Sequence, residues 1–350
     1  MNEKSTNARV DTSRENPSRP EPVLAVAGAY AGHGLERIEA RAGRMLITPY
    51  LVFFLVFSAY PLIFSLVLVF HHWSIVGPLQ WAGVANFVEL AHDDLFWRAI
   101  VNTLIFIVIH VPPQVVIALV LASLLNEKLP ARAFFRASFF LPVIVSGVAV
   151  TVLWKQLFST DAGMFNQILG WFGIGRVPWI SSPDWAMPSI AIMATWKNVG
   201  LYVVLFLAGL QNVPRSLYEA AEMDGAGWWD KFRFITVPAI NPVLVIVLIL
   251  STLGGFSLFI EPYVLTGGGP MNSTLSGVLY IYKQAFYFFR MGYAATSGFA
   301  LALIVLAVVL IQRPLDKDHP DNRDGGDRVH IPLPLPLDVR RYSQAGNRDC

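Results

Sequence analysis

The chain has 350 residues, 55% of them hydrophobic and only 14% charged, with a formal net charge of +2. A soluble domain carries about 25% charged residues, so this is the composition of a polytopic membrane protein. The small net charge gives no reason to expect nucleic acid as a partner, and the single cysteine, Cys350, excludes an internal disulfide and a cysteine-based metal cluster. In chain order, residues 1–45 come first. Residues 1–35 are polar and rich in Pro, Arg, Asn and Glu, the stretch then turns to small residues, and the whole reads as a disordered tail with no signal peptide. Crossing ~30 Å of hydrocarbon takes about 20 apolar residues in a helix. Five stretches come close to this or exceed it without an Asp, Glu, Lys or Arg: Leu46–Phe70, Ala99–Leu125, Ala137–Trp154, Phe234–Ile260 and Met291–Gln312. A sixth, Trp185–Leu210, is interrupted only by Lys197. The expectation is an all-α protein with six transmembrane helices over residues 46–312. Strands of a membrane barrel would alternate in polarity over ~10 residues, and nothing here does. Pro61, Pro112, Pro113 and Pro142 lie inside spans, where neighbouring groups re-satisfy the carbonyls they free.

Orientation follows from the basic residues near the span ends. One side holds Arg37, Arg41, Arg44, Lys128, Arg132, Arg136, Arg215, Lys231, Arg233, Arg313, Lys317, Arg323 and Arg328; the other holds Arg98, Lys155, Arg176, Lys283 and Arg290. This excess, thirteen against five, predicts a multi-pass protein of the cell membrane with both termini in the cytoplasm. The loops 72–97, 159–184 and 261–290 then face outward. Residues 313–350 form a cytoplasmic tail whose Ile331-Pro-Leu-Pro-Leu-Pro-Leu337 stretch is extended and proline-stiffened.

The most informative stretch is the cytoplasmic loop between the fourth and fifth spans, Leu217 to Pro238. Ser216 and Glu219 are spaced as a capping box. Ala220 and Ala221 keep the following helix slim, and Gly225, after Asp224, permits the positive φ that ends it. Residues 227–235 start a second helix with an aromatic face of Trp228 and Phe232, continued by Ile235, before Pro238. A small helical hairpin of this kind suits insertion into a groove of a partner.

Glu219-Ala220-Ala221, then Gly225, then Ile235 and Pro238, resembles the signature loop of the binding-protein-dependent ABC importer permeases; Val237 replaces the family's usual leucine. The resemblance runs from about residue 45 to 312. It extends to Phe96–Leu104, Arg132–Pro142, Trp196-Lys-Asn-Val-Gly200 and Leu265-Thr-Gly-Gly-Gly-Pro270, the last most specific to the first of two permease subunits in carbohydrate systems such as those for maltose and glycerol phosphate. It implies a type I importer permease fold and no catalytic residue, cofactor or metal in this chain. It further implies that Glu219, Ala220, Ala221, Asp224, Gly225, Ile235 and Pro238 couple to an ATP-hydrolysing subunit present in two copies. The other implied partners are a second permease subunit, an external solute-binding protein, a sugar, and membrane lipid.

No Gly-x-x-x-x-Gly-Lys-Ser/Thr run occurs, and Gly267–Gly269 lacks the lysine of a phosphate loop, so it reads as a flexible outer loop near the binding protein. His71 and His72 are neighbours in sequence and so do not share a helix face as a metal pair would. Trp73, Trp81, Phe87, Phe96 and Trp97 read as an interfacial belt and outer helices. Lys197 at membrane depth faces either protein or water: the wall of the pathway, or a structural ion pair. With Asn198, Tyr202, Ser251, Thr252 and Ser257 it makes the candidate substrate pathway, although small hydroxyls in membrane helices also bond their own backbone. Three rivals carry other features. The same machine with a polyamine, phosphate or amino-acid cargo leaves the Leu265–Pro270 element unexplained. A secondary transporter needs intramembrane carboxylates for ion coupling, and an intramembrane enzyme needs clustered His, Asp or Glu, whereas His110 stands alone within the spans.

Overall fold

The computed structural model describes residues 41–126 and 132–312. Of the tail expected over residues 1–45, residues 1–40 lie outside the described residues and 41–45 are helical, against that expectation; the tail expected over 313–350, with Arg313 and the basic residues after it, and Arg37 and Lys128 also lie outside.

Helix α1 (Arg41–Leu68) begins ahead of the apolar run at Leu46. A two-stranded antiparallel hairpin follows, β1 (His71–His72) with β2 (Gln80–Trp81), in the register His71 to Trp81 and His72 to Gln80. His71 and His72 thus stand on a strand. Next come α2 (Ala85–Ala91), α3 (Asp94–Asn126), α4 (Arg132–Ile144), α5 (Gly147–Leu157), α6 (Met164–Trp171) and α7 (Pro183–Gln211). The chain continues as α8 (Arg215–Met223), α9 (Trp228–Lys231), α10 (Asn241–Phe256), α11 (Ile260–Leu265), α12 (Gly277–Tyr282) and α13 (Met291–Gln312). Among the described residues the fold is therefore all-α apart from one short hairpin.

Among the described residues, five helical runs are long and apolar enough to cross a membrane: α1, α3, α7, the run Asn241–Leu265 and α13. The pair α4–α5 makes a sixth if counted as one broken span. The single third span expected over Ala137–Trp154 is thus two helices. Ser146 leaves helical geometry (φ −50°, ψ 127°) and Gly147 opens the next helix. Four residues earlier, Pro142 already lacks the N–H that the Ser138 carbonyl would accept. Two other prolines widen the turn before them. In α1 the Tyr60 N–H reaches back to the Leu55 carbonyl just before Pro61, and after α9 the Val237 N–H reaches the Phe232 carbonyl just before Pro238. Both are π turns, with one residue more than an α turn.

The described residues cluster into two compact units. The first holds residues 41–110 together with Val145–Ala194 and Gly255–Ile304; the second holds residues 111–126, 132–144, Thr195–Gly254 and residues 305–312. The first unit is built on an apolar core that includes Phe106, Trp154, Phe158, Ile190, Met193 and Leu258. All three loops expected outside belong to it, and buried amides tie them down. Asn166 donates to the Thr160 and Val177 carbonyls and accepts from the Val177 N–H and the Trp179 indole, each at 2.9–3.0 Å. Asn102 of α3 donates to the carbonyls of Asn272 (2.7 Å) and Leu275 (3.0 Å). Arg290 grips both carboxylate oxygens of Glu89 at 2.6 Å and lies 4.3 Å over the Tyr293 ring.

The stretch Leu265–Pro270 is held firmly, in place of the flexible loop expected. Gly267 (φ 65°) and Gly268 (φ 93°) turn the chain through the left-handed region open to glycine. Lys155 donates to the Val264 carbonyl at 3.0 Å and Lys283 to the Gly267 carbonyl at 2.7 Å. The Thr274 hydroxyl donates to the Gly269 carbonyl at 2.7 Å. Partial burial lowers the Lys283 pKa. Nearby, the Asp93 carboxylate accepts from the Tyr280 hydroxyl, from the Tyr293 hydroxyl at 2.7 Å, and from the Phe96 and Leu95 N–H groups. Burial opposes its ionisation, but these four bonds to the charged form outweigh it and hold the carboxyl below its usual pKa.

The second unit owes part of its packing to glycine. A Cβ on Gly200 of α7 would overlap the Phe139 carbonyl of α4, so the two backbones touch there. A Cβ on Gly209 would stand 2.8 Å from the Val243 side chain. Small residues allow such backbone approach between membrane helices.

Candidate functional site

The expected helical hairpin is present in the second unit. Pro214 (φ −60°, ψ 130°) precedes α8, and its fixed φ leads directly into the helix. The start lies two residues earlier than a Ser216 cap requires. Ser216 becomes the second helical residue, no side chain caps the helix, and the expected Ser216–Glu219 capping box does not form. Glu219 is exposed and makes no hydrogen bond or ion pair among the described residues. Ala220, Asp224 and Gly225 are exposed beside it, with Ala221 half-buried.

The end of α8 matches its expectation. Gly225 has φ 76°, its N–H donates to the Glu222 carbonyl at 3.0 Å, and the Ala226 N–H donates to the Ala221 carbonyl at 2.9 Å. This pair of bonds is the Schellman closure, which requires a left-handed residue at the Gly225 position. No atom stands within 4 Å of a Cβ placed there, so the requirement is conformational rather than steric.

After the turn, Asp230 accepts from the Gly227 N–H at 3.3 Å and opens α9. The second helix expected over 227–235 forms and continues to Ala239. It runs as α9 over four residues and then widens into the π turn Phe232–Thr236 ahead of Pro238. Two contacts clamp the arms together: Lys231 to Glu222 at 2.8 Å, and the hydroxyls of Tyr218 and Thr236 at 3.0 Å. The aromatic face forms as expected, with Trp228 stacked on Phe232 at 5.4 Å and 10°. It extends to Trp229, 5.7 Å from Phe232. Trp228 and Trp229 remain 60% and 59% exposed, a large apolar area left open on a turn that is otherwise well bonded. Ile235 is half-buried and Pro238 exposed.

The candidate pathway residues divide. Tyr202 of α7 and Ser251 of α10 are buried and hydrogen-bonded to each other. Ser251 also donates to the Gln114 side-chain oxygen of α3 at 2.6 Å. Thr252 accepts from Gln312 of α13 at 2.9 Å. These bonds link helices; neither hydroxyl is spent on its own backbone in them. Lys197 and Asn198 are half-buried on α7. Ser257 is not brought to this group: it belongs to the first unit, where it is exposed. Sequence reasoning passed over Gln114 and Gln312. Gln114 is fully buried, and its amide nitrogen has no partner among the described residues. The available signal was a carboxamide inside an apolar run, directly after Pro112-Pro113.

Comparison with known proteins agrees with this geometry. The profile of the "Binding-protein-dependent transport system inner membrane component" family matches residues 90–318, which include the hairpin. The lactose transport system permease protein LacF of Rhizobium radiobacter is 40% identical over 275 residues, covering 77% of this chain and 92% of that protein. The arabinooligosaccharides transport system permease protein AraP of Bacillus subtilis is 33% identical over 297 residues, covering 84% and 94%. A chain in the crystal structure of a bacterial alginate ABC transporter, in complex with an alginate pentasaccharide-bound periplasmic protein, superposes with a TM-score of 0.70 at 25% identity, covering 81% of this chain and 96% of that one. This chain therefore belongs to the inner-membrane components of binding-protein-dependent transport systems, as a multi-pass permease subunit of an ABC importer for sugars or other solutes.

Proposed function

We propose that the chain is the first of two permease subunits of a saccharide importer, of the type that serves maltose and glycerol phosphate, with both termini in the cytoplasm. The hairpin carries this reading. It is a slim arm with Glu219 unengaged, two exposed tryptophans and a fixed left-handed turn, the form of a part that enters a groove in another protein. On this reading Glu219, Ala220, Ala221, Asp224 and Gly225 dock on one of a pair of ATPase subunits, and Ile235 and Pro238 set the exit into the fifth span. The three loops of the first unit receive the loaded binding protein. ATP-driven closure of the ATPase pair moves the arms, opens the pathway outward, and hydrolysis resets it.

A saccharide cargo is supported by the relatives named for lactose and arabinooligosaccharides. The pathway is assigned to Lys197, Asn198, Tyr202, Ser251 and Thr252, which supply uncharged hydrogen-bonding groups and one cation; Ser257 joins them only by its place in the fifth span. The test is uptake of labelled oligosaccharides by the reconstituted complex, with Tyr202→Ala and Asn198→Ala variants. Sugar uptake by the parent complex and its loss in the variants is the expected outcome. Movement of a peptide or an amino acid with no sugar refutes the cargo. Lys197 favours one second reading, an acidic saccharide. Competition by a uronic-acid oligomer, and none by its neutral counterpart, would select it.

A further inference from the structure

The first unit carries an aromatic cluster that the coupling and pathway assignments do not use. Tyr282, at the end of α12, lies at its centre. Its ring is 5.0 Å from Phe259, 5.5 Å from Tyr263, 5.1 Å from Phe286 and 5.9 Å from Tyr287. Phe259 and Tyr263 stack at 5.3 Å and 13°. The Tyr263 hydroxyl interacts with those of both Tyr282 and Tyr287. The cluster is open: Tyr263 is 37% exposed, Phe286 56% and Tyr287 57%.

Three observations separate this cluster from packing and from an interfacial belt. A belt places amphipathic rings around a bundle at the depth of the lipid headgroups, whereas here five rings meet at one point with three hydroxyls pooled among them. The half-exposed rings offer apolar faces, while the pooled hydroxyls offer both donors and acceptors. The neighbouring cation, Lys283, is directed away to the Gly267 carbonyl. Flat apolar faces combined with neutral hydroxyls match a pyranose ring, which has a C–H face and a rim of hydroxyl groups.

We propose that Tyr263, Tyr282 and Tyr287, with the rings of Phe259 and Phe286, form a saccharide-binding platform that receives the sugar on the outer side of this subunit. The proposal rests on the saccharide cargo and the orientation argued above. It predicts a site occupied without the binding protein. The experiment uses the assembled complex of both permeases and the ATPase pair in lipid nanodiscs. Hydroxyl-radical footprinting, read by mass spectrometry, is performed with maltotetraose, and with glycerol at equal mass concentration as control. The peptide carrying Tyr282 and Tyr287 should lose at least half of its oxidation with maltotetraose and none with glycerol. In parallel, Tyr287→Ala and the triple Tyr→Phe variant should lower sugar uptake at least three-fold with subunit composition unchanged. A complex that transports labelled sugar but shows neither protection nor a slowed variant overturns the platform and leaves the cargo assignment standing. A complex that moves no sugar, yet is protected by maltotetraose, refutes the cargo reading and retains the platform. Loss of the second permease on purification of Tyr287→Ala identifies the cluster as a subunit interface and also overturns the proposal.

Discussion

The left-handed turn at Gly225 allows the hairpin to be tested by a graded series. A Cβ at φ 76° meets no neighbour within 4 Å, so every substitution there acts through backbone conformation alone. An L-residue in that region costs roughly 1–2 kcal/mol, asparagine is among the better tolerated, and a β-branched residue is the worst. Two contacts oppose the loss. The Lys231–Glu222 pair, partly exposed, contributes about 0.2–1 kcal/mol, and the Tyr218–Thr236 bond about 0.5–1.5 kcal/mol. Gly225→Asn should therefore keep the turn, Gly225→Ala should leave it finely balanced, and Gly225→Val should lose it. Each kilocalorie shifts the ratio of native turn to its alternatives about five-fold. The assay is ATP hydrolysis by the reconstituted complex, stimulated by loaded binding protein, with assembly checked by size-exclusion chromatography. Stimulated hydrolysis should follow Gly > Asn > Ala > Val, with Val at least ten-fold below the parent and assembly unchanged. Equal damage from Asn and Val would show that the turn conformation is not what matters, and a fully active Val variant would remove the hairpin from coupling.

Three further outcomes are expected. Glu219→Lys reverses the exposed charge on α8, and it should abolish stimulated hydrolysis without lowering the melting temperature, since the residue makes no bond among the described residues. Ser251→Ala strands the buried Gln114 oxygen and should destabilise by about 1–3 kcal/mol; adding Gln114→Leu removes the stranded group and should recover most of the loss in thermal melts. The Asp93 pKa is lowered in the folded state, so its contribution is fully present above the ordinary aspartate value of about 3.9 and is lost as pH falls through the lowered one. The melting-temperature gap between the parent and Asp93→Asn should thus be constant at neutral pH and close only in strong acid.

The spans were legible because apolar length is a local property, and the hairpin because its spacing is. The Gly225 turn followed from one residue whose backbone freedom is written in its identity. The Ser216 cap failed for an equally local reason: Pro214 already has the φ of a helix entry, so the helix starts too early for a serine two residues on to cap it. What the sequence did not disclose is mostly long-range. Leu265–Pro270 looked flexible because of its glycines, but Asn102, Lys155 and Lys283 hold it and the residues on either side, and Asn102 lies some 170 positions away from the carbonyls it binds. Ser251 and Thr252 were singled out as polar groups of the fifth span, while their partners Gln114 and Gln312, on other helices, were not foreseen. The break at Ser146 was masked by an apolar average that a serine and a glycine barely lower.

The widened turn between α9 and α10 changes how force leaves the hairpin. A π turn stores one residue beyond what an α turn needs, and taking up that slack would advance the helix beyond by about 1.5 Å and rotate it by about 100°. Val237 can give its N–H to the Phe232 carbonyl, as here, or to the Arg233 carbonyl of an α turn, whereas Pro238 has none to give and leaves the Phe234 carbonyl without an α-type partner in either form. If the hairpin couples as proposed, a displacement applied at the stacked tryptophans meets a joint with a spare residue in place of a stiff rod. A push that took up this residue would turn the fifth span, so that the polar side chains on it are re-aimed rather than simply lifted.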